Sequence, residues 1–524
     1  MLWPRVVAAV AVLLLVSAVA PAQPAASSLT GRVTSGGAPL RGAAVTVRSP
    51  SLLGERSATT GAGGGYFLRA LPPGLYDVTF TAEGTQTLIR RVELNVAETS
   101  RLDAELARRD VEETVTRTTL MPTLLETPQL ATTIDAATAD RLPIGRSIAE
   151  RIALAPGLPP RQAVSLIDGV VLAKTVEEAM EETTFVTGGL SAEYAAPELI
   201  ATVTRRRGGD VYGSLRAAVS SGQRRLFEAA GGGTAIEERL WLFGAGSDGQ
   251  LSSGDQRRAV GRLTARIGAA QTVEVSRHEG WSGRYDGIVA PNVTLDGLVT
   301  DEQWSMKGHM FLSTLHGGSH SIVAGAEDLG EAGPAALFIN DSWRGSPRWS
   351  FNLGLRHADG AADPRLGAVY DAWADGEHRI GATWGRFGSM EETTLTYGWR
   401  FGVGGYARAD YIRRSAGEQD DLLQIHGVYD LFRLFRFGGN HTARLRGSAE
   451  LRNRTNLWFW FEPALGDGRL TLALLQRHQS DSPWSTDLSS MVTFPAASVT
   501  AFAKIDLLDA FDDRDWRAAV GVRF

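Results

Sequence analysis

The sequence predicts a mainly β protein that ends in a large antiparallel transmembrane β-barrel. Apolar and polar residues alternate in many segments of the second half of the chain, which is typical of strands with two different faces. Of the 13 tryptophans, 12 lie beyond residue 240, and aromatic residues of membrane barrels gather at the two membrane surfaces. An apolar stretch at the start of the chain predicts export. Together these features favour a membrane barrel.

Composition excludes several other classes of protein. The 524 residues are 43% hydrophobic and 21% charged, so the chain has enough apolar residues to bury a core. There is no cysteine, which excludes disulfides, thiolate metal sites and a catalytic thiol. A net charge of −6 argues against nucleic acid as a partner. No cofactor, metal site or catalytic residue set is legible, so we do not expect an enzyme.

The chain begins with a predicted signal peptide at residues 1–22. Arg5 precedes an apolar run at 6–20, and Ala20-Pro21-Ala22 has the small residues of a cleavage site. The run is short for a membrane-spanning helix, which needs about 20 residues. An uncleaved membrane anchor is the alternative.

Residues 28–106 are predicted to form a β-sandwich. Short alternating strands, such as the one with Val45 and Val47, are separated by turn residues at Gly36-Gly37 and Pro72-Pro73-Gly74. The segments LTGRVTSGGAPLRGAAVTVRS and GGGYFLRALPPGLYDVTF resemble the carboxypeptidase regulatory-like domain, which has a carbohydrate-binding-like fold. That resemblance implies an accessory module without catalysis.

Residues 210–524 are predicted to form the barrel. In 258–267, for example, Ala259 and Leu263 lie on one face of a strand while Arg258 and Arg262 lie on the other. In a membrane barrel the apolar face is turned to lipid and the charged face to the lumen. At roughly 15 residues per strand and connection, the region has room for about 18–22 strands, a width whose lumen must be filled.

The last strand resembles the C-terminal signal of outer-membrane barrel proteins. Trp516, Val520, Val522 and Phe524 lie on one face of it, and Phe524 ends the chain. The resemblance implies that the barrel assembly machinery recognises these residues. It also implies outer-membrane lipid as the surroundings of the barrel.

Residues 107–209 carry ordered motifs of a known family. VEETVTRT (111–118), LPIGRSIAERIALAPGL (142–158), LIDGV (166–170) and TGGLSAEY (187–194) resemble the TonB box and plug domain of a TonB-dependent outer-membrane receptor, in the Oar-like subgroup. Within this segment Ile148 and Ile152, stopped by Pro156-Gly157, predict a short plug helix. The chain is shorter than family plugs between Asp168 and Thr187.

The resemblance implies candidate binding residues. A TonB box adds as an extended strand to the periplasmic domain of TonB, and a strand-prone segment meets that need: Glu112, Glu113, Thr114, Val115 and Thr116. An ordinary linker is the alternative for these residues. Residues 279–302 are predicted to form the one long barrel loop, with Trp281, Tyr285 and Asn292 as ligand-binding candidates.

The function implied is TonB-dependent import across the outer membrane by a monomer, with the N-terminal domain in the periplasm. A structural or signalling plug-barrel protein without active uptake is the first alternative, and a barrel enzyme is the second. Siderophore, cobalamin, oligosaccharide and peptide all remain open as ligands, and the regulatory-like domain favours a carbohydrate or a peptide over iron.

Overall fold

A computed structural model of the chain places nearly all of its regular structure in β-strands. It describes residues 27–524 except 49–54, 62, 72–73, 83–84, 86, 95–98, 107–128, 145–146, 153, 156–163, 173–174, 205–211, 222–223, 237–238, 252–253, 268–270, 278–279, 291–292, 316–317, 331–332, 347, 374–377, 402–404, 432–434, 448–452, 467, 481, 497–498, 510–514 and 524. The predicted signal peptide and the TonB-box candidates 112–116 therefore lie outside the described residues. No helix in the described part of the chain has the length and apolar composition to cross a membrane.

The first nine strands form two packed sheets, as the sequence predicts. One sheet holds β1 (Ser27–Ser35), β2 (Ala38–Pro39), β5 (Gly65–Leu71), β8 (Thr99–Arg101) and β9 (Ala104–Glu105), and the other holds β3 (Ala44–Arg48), β4 (Glu55–Thr59), β6 (Gly74–Thr81) and β7 (Leu88–Leu94). Alternate residues such as Val45, Val78 and Phe80 are fully buried against Leu29 and Val33 of the first sheet. Burial of these side chains stabilises the sandwich by about 1.5–3 kcal/mol each.

The next segment forms a small α+β unit, which we call the plug. Its sheet has the order β10-β13-β14-β11-β12, with β10 (Ala131–Asp135), β11 (Val164–Ile167), β12 (Val170–Val171), β13 (Met180–Val186) and β14 (Leu199–Thr204). Its helices are α1 (Ala136–Arg141), α2 (Ile148–Ile152) and a 3-10 turn (Glu177–Ala179). Ser147 accepts from the backbone N–H of Glu150 and donates to its carboxylate, which starts α2. The predicted plug helix is confirmed.

The remaining strands form a closed antiparallel barrel of 22 long strands, within the predicted range. The first and last strands, β15 and β37, pair with each other from Ser214–Arg523 to Ser220–Arg517 and close the ring. The strands are β15 (Tyr212–Ser220), β16 (Arg224–Ile236), β17 (Leu240–Leu251), β18 (Gly254–Ile267), β19 (Gln271–Arg277), β20 (Trp281–Ala290), β21 (Val293–Thr300), β22 (Trp304–Leu315), β23 (Gly318–Asp328), β24 (Ala336–Arg344), β25 (Trp349–Ala358), β26 (Ala361–Asp371), β27 (His378–Phe387), β28 (Met390–Phe401), β29 (Gly405–Ala416), β30 (Glu418–Leu431), β31 (Phe435–Arg446), β32 (Arg454–Phe461), the two-residue β33 (Ala464–Leu465), β34 (Gly468–Gln479), β35 (Ser485–Ala496), β36 (Val499–Leu508) and β37 (Asp515–Arg523).

The two faces of the barrel strands are apolar outside and polar inside. On β24, Leu337 and Ile339 are half exposed on the outer surface, whereas Asn340 is buried in the lumen. On β18, Leu263 is exposed and Arg262 is 4% exposed, so the predicted assignment of the two faces is confirmed. This is the reverse of a soluble sandwich, and it is the arrangement that a lipid environment stabilises.

The prediction of a long loop over residues 279–302 was wrong. The segment forms β20 and β21, a hairpin in which Arg284 and Asp296 pair across the strands at 3.0 Å. Trp281 lies at the start of β20, is 54% exposed and points out of the barrel, and Tyr285 lies on the same strand face. Asn292 lies outside the described residues. The alternation of Ser282 and Arg284 with these aromatics was the strand signal that the loop prediction overlooked.

The barrel has two distinguishable ends. We call the end where β15 begins and β37 finishes the near end, and the opposite one the far end. Hairpin connections at the far end span one to seven residues, the longest being 329–335 and 447–453. The strands are therefore joined at the far end by short connections.

Placing a charge on the outer face tests the assignment of that face. Leu353 lies on the outer surface in the middle of β25, and Leu445 lies on it at the end of β31. We expect Leu353→Arg to destabilise the barrel in lipid vesicles by about 2–4 kcal/mol and Leu445→Arg by about 0–1 kcal/mol, because the cost of a charge falls toward the membrane surface. Urea titration followed by heat-modifiable gel mobility measures both; equal effects would contradict the assignment.

Candidate functional site

The plug lies inside the barrel and packs against its inner wall. Ile134, Leu142 and Leu154 of the plug share one buried cluster with Trp458 and Leu475 of the barrel. These side chains are at most 4% exposed. Further apolar clusters join the plug to other strands: Val176 and Ala179 share one with Phe243 and Val260, and Leu130 shares one with Ile412 and Leu422.

Polar contacts tie the plug to the wall around most of its circumference. Contacts with strands at different places on the ring include Asp168 with Arg262, Val171 with Gln303, the Leu142 carbonyl with Lys504 (2.7 Å), the Leu154 carbonyl with Asn440 (2.7 Å) and Asp140 with Arg523. A barrel arginine or lysine is thus paired with a plug carboxylate or carbonyl in several places. These contacts hold the plug in the lumen from several directions.

A clamp holds the base of one plug segment, residues 187–198, which we call the plug loop. Arg414 donates to the Thr187 carbonyl (2.8 Å) at the start of the loop and pairs with Glu198 at its end. The same arginine donates to Glu392 (2.9 Å), which accepts from the Gly189 N–H (3.0 Å). One buried cation therefore closes both ends of the loop against β28 and β29.

The tip of the plug loop is held by other strands. The Ala192 N–H donates to Asn340 (3.2 Å), Lys307 pairs with the Glu193 carboxylate (3.1 Å), and Arg356 donates to the Glu193 carbonyl (3.4 Å). Lys307 also lies 5.4 Å from the centre of the Tyr194 ring. The loop thus reaches from β29 at its base to β22 at its tip.

Burial and neighbouring charges shift the pKa values of the two loop glutamates in opposite directions. Burial raises the pKa of Glu198 to about 7; Arg414 opposes this shift and Glu392 adds to it. Burial also acts to raise the pKa of Glu193, but Lys307 and His309 outweigh it and the pKa is lowered. Glu193 is therefore charged at neutral pH, whereas Glu198 titrates there.

A cavity of about 270 Å³ lies beside the tip of the plug loop, between the plug and β20–β23. One wall is the plug sheet, with Val164, Leu166 and Ala201, and the other wall is the barrel. The polar residues that line it carry charges of both signs: Asp168, Glu193, Glu198, Arg284, Asp296, Lys307, His309 and Glu327. Most of its barrel residues come from the far halves of their strands, so the cavity lies in the far half of the lumen.

Two polar groups at the cavity have no hydrogen-bond partner among the described residues. These are the hydroxyl of Tyr194 and the imidazole of His309. The other charges are paired, as Lys307 is with Glu193 and Arg284 with Asp296. The cavity therefore offers free hydrogen-bonding groups and paired charges to a ligand, and it is the candidate binding site.

The structure does not bring the sequence-predicted ligand residues to this cavity. Trp281 and Tyr285 face away from the lumen, and Arg284 between them is the β20 residue that lines the cavity. Sequence reasoning singled out the motif TGGLSAEY but not Glu193 and Tyr194 as site residues, and it missed Lys307 and His309. An inward-facing lysine and histidine two residues apart on one strand were the available signal.

The other predicted partner-binding residues are placed only in part. Trp516 and Val520 are exposed on the outer face of β37, Val522 lies on the same face, and Phe524 is outside the described residues. Their recognition by the barrel assembly machinery stays a prediction. Within the described residues no group of three or more His, Asp or Glu side chains is arranged to hold a metal ion.

Removing the clamp cation tests whether Arg414 holds the plug loop. Arg414→Met leaves Glu198 and Glu392 buried near each other without their cation, which costs about 3–5 kcal/mol. We expect amide hydrogens of residues 187–198 to exchange at least 100-fold faster. Arg413→Met is the matched control, because Arg413 points outward and is half exposed; equal acceleration in both variants would contradict the clamp.

Titration of Glu198 predicts a pH dependence of the same loop. With a pKa of about 7 in the closed loop against an ordinary value of 4.5, Glu198 holds an extra proton only when the loop is closed. Opening therefore becomes easier as pH rises from about 5 to 7 and then levels off. Hydrogen-exchange opening constants between pH 5 and 8, corrected for intrinsic exchange, measure the slope; it should vanish in Glu198→Gln, and a persisting slope would assign it to another group.

Comparisons with known proteins identify a related domain and related folds. The model of the carboxypeptidase regulatory-like domain matches residues 28–107. Among curated proteins none matches the sequence.

Solved structures with a similar fold are bacterial siderophore receptors. The siderophore receptor PirA from Pseudomonas aeruginosa has a TM-score of 0.60 at 15% identity over 75% of this chain and 99% of its own. The siderophore receptor PiuA from Acinetobacter baumannii has a TM-score of 0.60 at 9% identity over 79% of this chain and 99% of its own. The ferric preacinetobactin receptor BauA from the same species has a TM-score of 0.56 at 10% identity over 78% of this chain and 98% of its own. Sequence identities this low indicate a shared fold and nothing more specific. The protein therefore has the plug-and-barrel fold of the TonB-dependent outer-membrane receptors and carries a carboxypeptidase regulatory-like domain at its N-terminal side.

Proposed function

We propose that this protein is an outer-membrane receptor that binds a solute from outside and imports it with energy supplied through TonB. The observation that carries the proposal is a closed barrel whose lumen holds a separate plug, bound to the wall by polar contacts on many strands as well as by apolar clusters. The polar contacts can be exchanged for water, which lowers the free-energy cost of displacing the plug. The proposal involves binding and mechanical gating and no chemical step.

The direction of import follows from the two ends of the barrel. The plug helix α1 lies at the near end, where it contacts Glu462 and Arg523 through Arg141 and Asp140. In the proposal the near end is the periplasmic one, and the N-terminal domain and residues 107–128, which precede the plug in the chain, lie on that side within reach of TonB. The cavity beside the plug loop lies toward the far end and takes solute from outside.

The clamp at Arg414 favours the second candidate function, a structural or signalling protein with the same fold but without active uptake. A buried cation that holds both ends of the plug loop, together with short far-end turns, describes a plug that stays in place. TonB binding separates the two functions because only the import function needs it.

The test is binding of the TonB periplasmic domain to the purified full-length protein in detergent. In the proposal, residues 112–116 add to TonB as a strand, so Val115→Pro removes a main-chain donor and should weaken binding at least tenfold. Thr123→Pro is the matched control, since it adds a proline outside the candidate stretch. Calorimetry or surface plasmon resonance measures both.

The outcomes separate the functions. Loss of binding in Val115→Pro with retention in Thr123→Pro supports TonB-dependent import. Absence of TonB binding by the unmodified protein would contradict import and leave the structural or signalling function.

A further inference from the structure

We infer that the cavity beside the plug loop binds a small zwitterion with an apolar side chain, an amino acid or a dipeptide. The inference rests on the proposed receptor function and names its substrate class. This class differs from the ligands of the structural neighbours, which are receptors for siderophores and for ferric preacinetobactin. Three properties of the cavity carry it: size, charge pattern and apolar wall.

Size limits the ligand to a small molecule. The cavity has about 270 Å³, whereas sites for drug-sized ligands span about 300–1,000 Å³. A dry cavity of about 150 Å³ holds one benzene molecule. A volume less than twice that accommodates an amino acid or a dipeptide, and a bulky metal chelate does not fit.

The far-end turns add no second binding surface above the cavity. The connections that border it, 301–303 and 329–335, are three and seven residues long. The first is also tied down, because Gln303 exchanges hydrogen bonds with the backbone N–H (3.1 Å) and carbonyl (3.3 Å) of Val171. A large ligand would have no loops to enclose it.

The charge pattern selects a ligand with both charges. Two ion pairs meet at the cavity, Lys307 with Glu193 and Arg284 with Asp296. Because these charges already balance, a ligand with net charge would leave one buried charge unpaired, which is costly. A zwitterion adds no net charge, so its carboxylate and ammonium can enter between the pairs.

Specific groups are available for each end of such a ligand. Lys307 uses one of its three N–H donors on Glu193, so it can donate to a ligand carboxylate. The carboxylates of Glu193 and Asp296 have remaining lone pairs for an ammonium group. The Tyr194 hydroxyl and the His309 imidazole, which have no hydrogen-bond partner among the described residues, supply further hydrogen bonds beside them.

The opposite wall suits an apolar side chain. Val164, Leu166 and Ala201 of the plug sheet face the cavity, and Leu298 and Leu329 of the barrel extend this surface. Burying a leucine-sized side chain there would contribute about 1.5–3 kcal/mol. An apolar amino acid or dipeptide therefore matches the charged wall with its termini and the apolar wall with its side chain.

The test is calorimetric binding to the purified full-length protein in detergent, with alanyl-leucine as the probe. Four comparison ligands are its N-acetyl form, its C-terminal amide, diglycine and ferric enterobactin. We expect alanyl-leucine to bind, and each blocked form and diglycine to bind at least tenfold more weakly. Ferric enterobactin should not bind.

Variants assign binding to the cavity. Lys307→Met should weaken alanyl-leucine binding at least tenfold, whereas Lys504→Met should leave it unchanged. Lys504 is the matched control because it is also a buried lumenal lysine in contact with the plug, on the other side of the lumen. Heat-modifiable gel mobility checks that both variants are folded.

Other binding results overturn the inference. It fails if alanyl-leucine does not bind, if the blocked forms bind as well as the free dipeptide, or if Lys307→Met binds normally. If ferric enterobactin binds and alanyl-leucine does not, the proposed substrate class is contradicted but the receptor function is not. Dipeptide binding without TonB binding would keep the cavity assignment and remove active import.

Discussion

The structure depends on one constraint: the charged side chains on the inner wall of a wide barrel need hydrogen-bonding or oppositely charged partners. A barrel of 22 strands places arginines and lysines such as Arg262, Arg414 and Lys504 in a lumen that its own strands do not fill. An unpaired buried charge costs several kcal/mol, so these cations need acceptors. The wall supplies some of these acceptors, since Arg262, Arg414 and Lys504 each pair with a wall carboxylate, and the plug supplies the others with its carboxylates and carbonyls.

That constraint links the clamp to the candidate binding site. The plug loop is held at its base by Arg414 and at its tip by Lys307, and the cavity lies at the tip. A ligand that competes for Lys307 therefore acts on the segment that Arg414 closes. Glu193 at the tip and Glu198 at the base belong to the same short loop, so a rearrangement at the cavity reaches the clamp within that loop.

Particular segments show why some features were predictable. Strand alternation fixed the faces of β18 and β36, because a period of two in a membrane barrel has only one stable orientation. The same alternation runs through 281–300, where Trp281 and Asn292 are equally compatible with an exposed loop. Arg284 and Asp296, twelve positions apart, pair diagonally across that hairpin, in which Arg284 lies directly opposite Leu298. Such a pair can be recognised in a sequence only after the two strands of the hairpin have been assigned.

By itself the sequence determined the order of the parts, the closed barrel with its apolar outer face and the segment that fills it, because these follow from local periodicity and from motifs. Only the tertiary structure decided which charges meet. Lys307 reaches Glu193 across 114 positions and Arg414 reaches Glu198 across 216. Those distances along the chain are bridged by closure of the barrel around the plug, and no local pattern records which wall strand lies beside which plug loop.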